Sequence, residues 1–251
     1  MMLPTSKTHV RGIVVARREL TADLWIVRIR SEDPLEFIPG QYVTIGLPVD
    51  SRLIERPYSL ASEPADPELE FFLELVPHGK LSPHLYDTPV GGEVWLRRAA
   101  KGRFQFDCES GRRNHFMAAT VTGVAPFVSM LRSFARQSGH DVAFRITLLH
   151  AASFAPELGY REELAALAAR ENWFTYIPTI SRVWLDPGWR AERGRIEDVA
   201  RKHLDALEFK APCTTAYLCG NPHMIRAMKG VLERAGFDKT QVREEIYWPA
   251  A

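Results

Sequence analysis

The chain changes its grammar near residue 114, and this change limits the available folds more than any other feature. Before it, apolar positions alternate. Trp25, Val27 and Ile29 are interleaved with Arg28 and Arg30, and Leu69, Phe71, Leu73 and Leu75 with Glu70, Phe72 and Glu74. A period of two marks strands with one buried face. Further strands are expected over 9–20, 41–47, 57–62 and 92–97, and a short helix over about 81–87. After residue 114, apolar runs at 115–121, 143–152, 173–181 and 214–220 alternate with helical patterns. Phe127, Met130, Leu131 and Phe134 recur at helical spacing behind Pro126. Asn221 and Pro222 read as an N-cap and a first helical residue, followed by the stripe Met224, Ile225, Met228, Val231 and Leu232 and a stop at Gly236.

Six short strands punctuated by Pro and Gly predict a six-stranded antiparallel β-barrel over residues 1–108. Strand–helix alternation predicts an α/β doubly wound parallel sheet over 109–251, with Glu109–Asn114 as the linker. The net charge of +1 supplies no global field for nucleic acid, and no apolar run approaches a membrane span. Met1–Val10 lacks the apolar core of a secretory signal, and the three cysteines show no framework spacing. A cytoplasmic protein with no membrane insertion is expected, and a monomer. Three cysteines are also too few for a four-thiolate iron–sulfur cluster, and no metal site is expected.

Four motifs carry chemistry. Arg56, Pro57, Tyr58 and Ser59 open a strand. A guanidinium can fork onto phosphate while the phenol stacks on an isoalloxazine ring, which suits a flavin nucleotide. The same residues suit a strand edge with a surface Arg and a core Tyr. Gly79, Lys80, Leu81, Ser82 and Pro83 lead into the short helix, where amide groups and the Ser82 hydroxyl suit a pyrophosphate or an ordinary helix start. Ala119 to Pro126 joins the first parallel strand to its helix, where doubly wound folds bind dinucleotides. Within it Gly123 permits close backbone approach and Thr122 can face the reacting rings. Tyr217 to Met224 is a second such crossing, with Cys219 at the strand end as a nicotinamide contact or a buried small thiol.

Arg182, after Ser181, and Arg195 follow successive elements of the second half and can clamp a 2′-phosphate or lie solvated at the surface. Tyr247 and Trp248 put two large aromatics near the chain end, either covering a ligand or finishing a core. Arg97, Arg98, Lys101, Arg103, Arg112 and Arg113 face only Asp107 and Glu109 within residues 97–113, a landing site for an acidic protein or a solvated run.

In this order along the chain, the motifs resemble the ferredoxin–NADP reductase superfamily, and within it the short bacterial flavodoxin/ferredoxin–NADP reductases. The resemblance implies FAD held by Arg56, Pro57, Tyr58, Ser59, Leu75, Val76, Lys80, Leu81, Ser82, Thr122, Tyr247 and Trp248. It implies NADP(H), as substrate, held by Thr122, Gly123, Val124, Pro126, Arg182, Arg195, Cys219, Gly220, Asn221 and Met224. Tyr58, Ser59, Cys219 and Tyr247 would touch the reacting rings, with an aromatic of the tail, Tyr247 or Trp248, stacking on the flavin face opposite Tyr58. Three departures stand out. Val121 occupies a position where the family usually has Gly, Ser153 stands where a relative has a phosphate-binding Arg, and Pro249–Ala251 extends past the aromatics.

The expected activity is electron transfer between NADPH and ferredoxin or flavodoxin through FAD, the cofactors supplying the chemistry and the protein the geometry. Two alternatives stay open: an NADH-dependent reductase component of an oxygenase, and a non-catalytic flavin-binding module.

Overall fold

The computed structural model describes residues 7–137 and 144–247. By its contacts the chain divides into two compact units. One runs up to Phe106 and includes Ala125–Arg136; the other comprises Asp107–Val124 and the chain from Gln137 on.

The first unit holds six antiparallel strands, β1 (His9–Glu19), β2 (Leu24–Ser31), β3 (Tyr42–Val49), β4 (Arg52–Ser59), β5 (Leu69–Glu74) and β6 (Glu93–Arg97), and the short helix α1 (Ser82–Tyr86). Their order is β4-β3-β6-β1-β2-β5. The curled sheet is joined end to end where Leu60, just past β4, bridges Phe71 of β5 and Ala61 N–H donates to Glu70 O at 2.8 Å. Trp25, Ile29, Val43, Ile45, Phe71 and Leu96 fill its interior. The fourth strand begins five residues earlier than the 57–62 expected. It is the return arm of a hairpin whose two turn residues, Asp50 and Ser51, both take positive φ, 47° and 62°. That backbone matches the twist of paired strands, but its usual Asn-Gly signature is absent.

Also in this unit, α2 (Ala125–Arg136) covers the outer face of β5. Phe127 packs edge-on against Phe104 at 5.5 Å, and Ser129 Oγ donates to Ser62 O at 2.6 Å. Glu70 and Phe72 are therefore buried together with Leu69, Phe71 and Leu73, so β5 has two buried faces where its alternation predicted one.

The second unit is a six-stranded parallel sheet in the order β10-β9-β8-β7-β11-β12. Its strands are β7 (Asn114–Thr120), β8 (Arg145–Ala152), β9 (Phe174–Ile180), β10 (Glu192–Arg193), β11 (Thr214–Gly220) and β12 (Val242–Ile246). Its helices are α3 (Arg161–Arg170), α4 (Ile196–Ala206) and α5 (Pro222–Arg234). Asn221 caps α5 as its sequence predicts, accepting from the amides of His223 and Met224. The core joins Phe116, Ala118, Leu149 and Leu218 of the sheet to Ile196, Ile225 and Met228 of the helices. Asp107 anchors the start of the unit: its N–H donates to the Tyr217 hydroxyl at 3.0 Å, and Thr215 Oγ1 donates to its carboxylate at 3.1 Å. Among the described residues no helix is long and apolar enough to cross a membrane.

Candidate functional site

In the first unit the flavin candidates lie on β4, an edge strand of the sheet row. The missing N–H of Pro57 is tolerated there. Tyr58 pairs with Val43 and packs its ring against the barrel core. Burial pushes its hydroxyl up to about 12, with the charge of Arg56 pulling the other way, so it stays a neutral phenol. Arg56 is exposed. Its guanidinium donates to the neighbouring Glu55 carbonyl at 2.7 Å, and among the described residues it meets no carboxylate. Ser59 is buried.

The second flavin motif is a tight turn. Gly79 N–H donates to Val76 O at 2.8 Å, and Val76 N–H donates to Ser82 Oγ at 3.0 Å. The Ser82 hydroxyl thus braces the turn, and the Leu81 side chain lies in the core. Lys80 is exposed, and Leu75 and Val76 are half-buried. Among the flavin candidates of this unit, Arg56 and Lys80 carry positive charge.

In the second unit, β7 ends at Thr120 and the chain makes one turn of 3₁₀-helix over Val121–Val124. The turn lies flush on the end of β11. A Cβ on Gly123 would fall 2.5 Å from the Cys219 carbonyl oxygen, so no side chain fits there. Gly220 takes φ 118°, and a Cβ on it would collide with Thr120 Oγ1, which accepts from Asn221 N–H at 2.8 Å. Thr122 and Val124 are buried within the turn, and so is Met224 in the core beneath α5. Pro126, also buried, belongs to the first unit through α2.

Cys219 is wholly buried at the end of β11. Burial and the Glu245 carboxylate push its thiol well up, against a weaker downward pull from the Tyr247 hydroxyl. It is a neutral thiol, not a thiolate nucleophile. Tyr247 N–H donates to Gly220 O at 3.1 Å, which ties the aromatic to the strand end. Trp248 and the 249–251 extension lie outside the described residues.

Arg182 and Arg195 occupy corresponding sequence positions past two paired strands. Strands β9 and β10 run parallel with Ile180 opposite Arg193, and each arginine lies two residues past its member of that pair. Both are exposed, and Arg182 stacks on the Phe154 ring at 5.1 Å. Among the described residues neither is ion-paired.

The basic segment is partly committed elsewhere. In the first unit Arg97 forks onto Glu55 at 2.8 and 2.7 Å, and Arg98 meets Asp33 at 2.8 Å. Lys101 and Arg103 are exposed and, among the described residues, unpaired. In the second unit Arg112 approaches Asp107 at 3.8 Å, and Arg113 lies over the Phe144 ring.

Two groups escaped the sequence reading. Arg132 and Arg28 bracket the buried Glu70. His150 is fully buried against the Val121–Val124 turn; its only sequence signal is a polar residue within an apolar run.

The site thus brings together an exposed cation two residues from a half-buried phenol on β4, a strand–helix turn too tight for a side chain at Gly123, and two exposed arginines past the ends of β9 and β10. Residues 11–106 match the oxidoreductase FAD-binding domain model and residues 117–230 the oxidoreductase NAD-binding domain model. The chain is 33% identical over 196 residues to the flavodoxin/ferredoxin–NADP reductase of Escherichia coli (strain K12), covering 76% of this chain and 77% of that protein. It is 30% identical over 250 residues to the ferredoxin–NAD(P)(+) reductase component of the naphthalene 1,2-dioxygenase system of Pseudomonas putida, covering 96% and 69%. The solved ferredoxin NADP+ reductase from Neisseria gonorrhoeae, with bound FAD and NADP, shares the fold at a TM-score of 0.83 and 23% identity, covering 96% of this chain and 99% of that one. The chain belongs to the ferredoxin–NADP reductase superfamily and is an oxidoreductase with an FAD-binding and an NAD(P)-binding domain.

Proposed function

We propose that this reductase carries electrons between NADPH and ferredoxin or flavodoxin, with FAD bound in the barrel of residues 1–108 and NADP(H) in residues 109–251. The observation that carries the NADPH preference is the corresponding placement of Arg182 and Arg195, two unpaired guanidiniums past the ends of adjacent parallel strands. Such a pair suits the dianionic 2′-phosphate that distinguishes NADPH from NADH.

When bound, the nicotinamide and flavin supply hydride and single-electron transfer. The chain's residues position them. Arg56 and Lys80 offer charge to the flavin's phosphates. Tyr58 presents a phenol that stays protonated across the working pH range. Tyr247 is assigned as a second aromatic cover for the flavin, and Cys219 as a neutral, compact wall for the nicotinamide. Its raised thiol avoids placing a negative charge there.

A second reading, a reductase component serving an oxygenase, is favoured by similarity to such components over 96% of this chain. Anaerobic titration of the yellow holoenzyme separates the two. Bleaching by NADPH at far lower concentration than by NADH supports the first reading; equal bleaching, or preference for NADH, supports the second. A flavin that neither nucleotide bleaches would mark a non-catalytic module.

A further inference from the structure

Val121 opens the dinucleotide turn in the left-handed region, with φ 46°. A β-branched residue is strained there, because its side chain crowds the backbone that glycine leaves clear. Something must hold it. Its side chain packs against the small cluster of Ala152, Leu158, Ile180 and Trp189. Its carbonyl lies 3.2 Å from Nε2 of His150.

A carbonyl only accepts, so Nε2 carries the hydrogen and donates it. Burial pushes the His150 imidazole down to about 4, leaving it neutral with a lone pair on Nδ1. That nitrogen lies 3.2 Å from the Tyr176 hydroxyl, which donates to it. The polar chain therefore runs from Tyr176 on β9, through His150 on β8, to the first peptide of the turn. Rotating that peptide out of the left-handed arrangement would turn its carbonyl away from His150 and re-aim the Thr122 N–H.

We infer that His150, oriented by Tyr176, is a positioning residue that holds Val121 and hence the dinucleotide turn in its binding conformation, a task glycine at 121 would perform unaided. This rests on the turn being the NAD(P) site.

The test uses FAD-replete holoenzyme. It reads NADP+ affinity from the perturbation of the flavin spectrum, together with KM and kcat for NADPH. His150→Leu should weaken NADP+ binding and raise KM about tenfold, the loss of roughly one buried hydrogen bond to the turn, while kcat at saturation changes little. His150→Gln, which keeps an N–H donor, should recover part of the loss. Tyr176→Phe should give a smaller shift in the same direction. Adding Val121→Gly to His150→Leu should restore binding, because glycine needs no partner at positive φ. Unchanged NADP+ affinity in His150→Leu, or no rescue by Val121→Gly, overturns the inference. If His150→Leu does not retain FAD, Tyr176→Phe with and without Val121→Gly decides by the same criterion. Wild-type holoenzyme that binds neither NADP+ nor NAD+ would instead overturn the dinucleotide site itself.

Discussion

Arg132 of α2 donates from Nη1 to Oε1 of Glu70 on β5 at 2.9 Å, inside the unit that carries the flavin motifs. Arg28 closes on the other carboxylate oxygen at 2.8 Å, and Arg132 also donates to Ala61 O at 3.0 Å. Helix α2 is thus fastened to the barrel wall by a buried carboxylate between two arginines. Burial pushes Glu70 up, but the two guanidiniums outweigh it and hold it below the usual carboxylate range. A folded value below the unfolded one gives stability that is present in full above about pH 5 and is lost as pH falls through the carboxylate range.

Glu70→Gln should therefore destabilise the protein by about 1–3 kcal/mol near neutral pH and by progressively less at lower pH. Chemical denaturation followed at pH 7 and pH 4 measures this. A constant difference at both values would mean that the Glu70 charge contributes nothing.

Arg182→Ala and Arg195→Ala should each raise the KM for NADPH and leave that for NADH nearly unchanged. Losing one charged hydrogen bond costs about 1.5–3 kcal/mol, roughly ten- to a hundredfold, with the lower end expected because both side chains are exposed. Steady-state kinetics with both nucleotides tests the assignment, and parallel losses would refute it.

Charge reversal at Lys101 and Arg103 should slow reduction of an acidic protein acceptor, most strongly at low ionic strength, and spare ferricyanide. Reversal at Arg97 is expected to act differently, because it leaves Glu55 facing a like charge within β4 and β6. There the melting temperature should fall along with both activities. An Arg97 variant that is fully stable and selectively slow with the protein acceptor would show that its pairing with Glu55 is dispensable and its charge recognises the partner.

Truncation after Ile246 should brighten flavin emission and hasten FAD release without unfolding the chain. It removes Tyr247, whose amide is fastened to Gly220, and the residues beyond it. A lost aromatic stack is worth about 0.5–1.5 kcal/mol, enough for a severalfold rise in FAD dissociation. Unchanged emission and dissociation would place the tail aromatics away from the flavin.

The sequence alone determined what depends on neighbours along the chain. Alternation in Trp25–Arg30 and the stripe behind Asn221 report backbone periods of two and 3.6, so most of the strands, the helices α1 and α2 and the capped start of α5 were legible, while β10 and β12 were not. Tertiary structure decided what depends on residues far apart. Glu70 reads as the polar face of a strand, yet it is buried because a helix more than fifty residues later covers that face. Arg97 and Arg98 read as free charge, yet Glu55 and Asp33 neutralise them from other parts of the barrel. Arg182 and Arg195 are thirteen residues apart in the chain and occupy corresponding positions only because β9 and β10 pair in parallel. The strain at Val121 appears only where a turn meets a histidine from the next strand. Local patterning sets how the backbone satisfies its own hydrogen bonds, while burial and charge pairing follow from which distant segments share an interior.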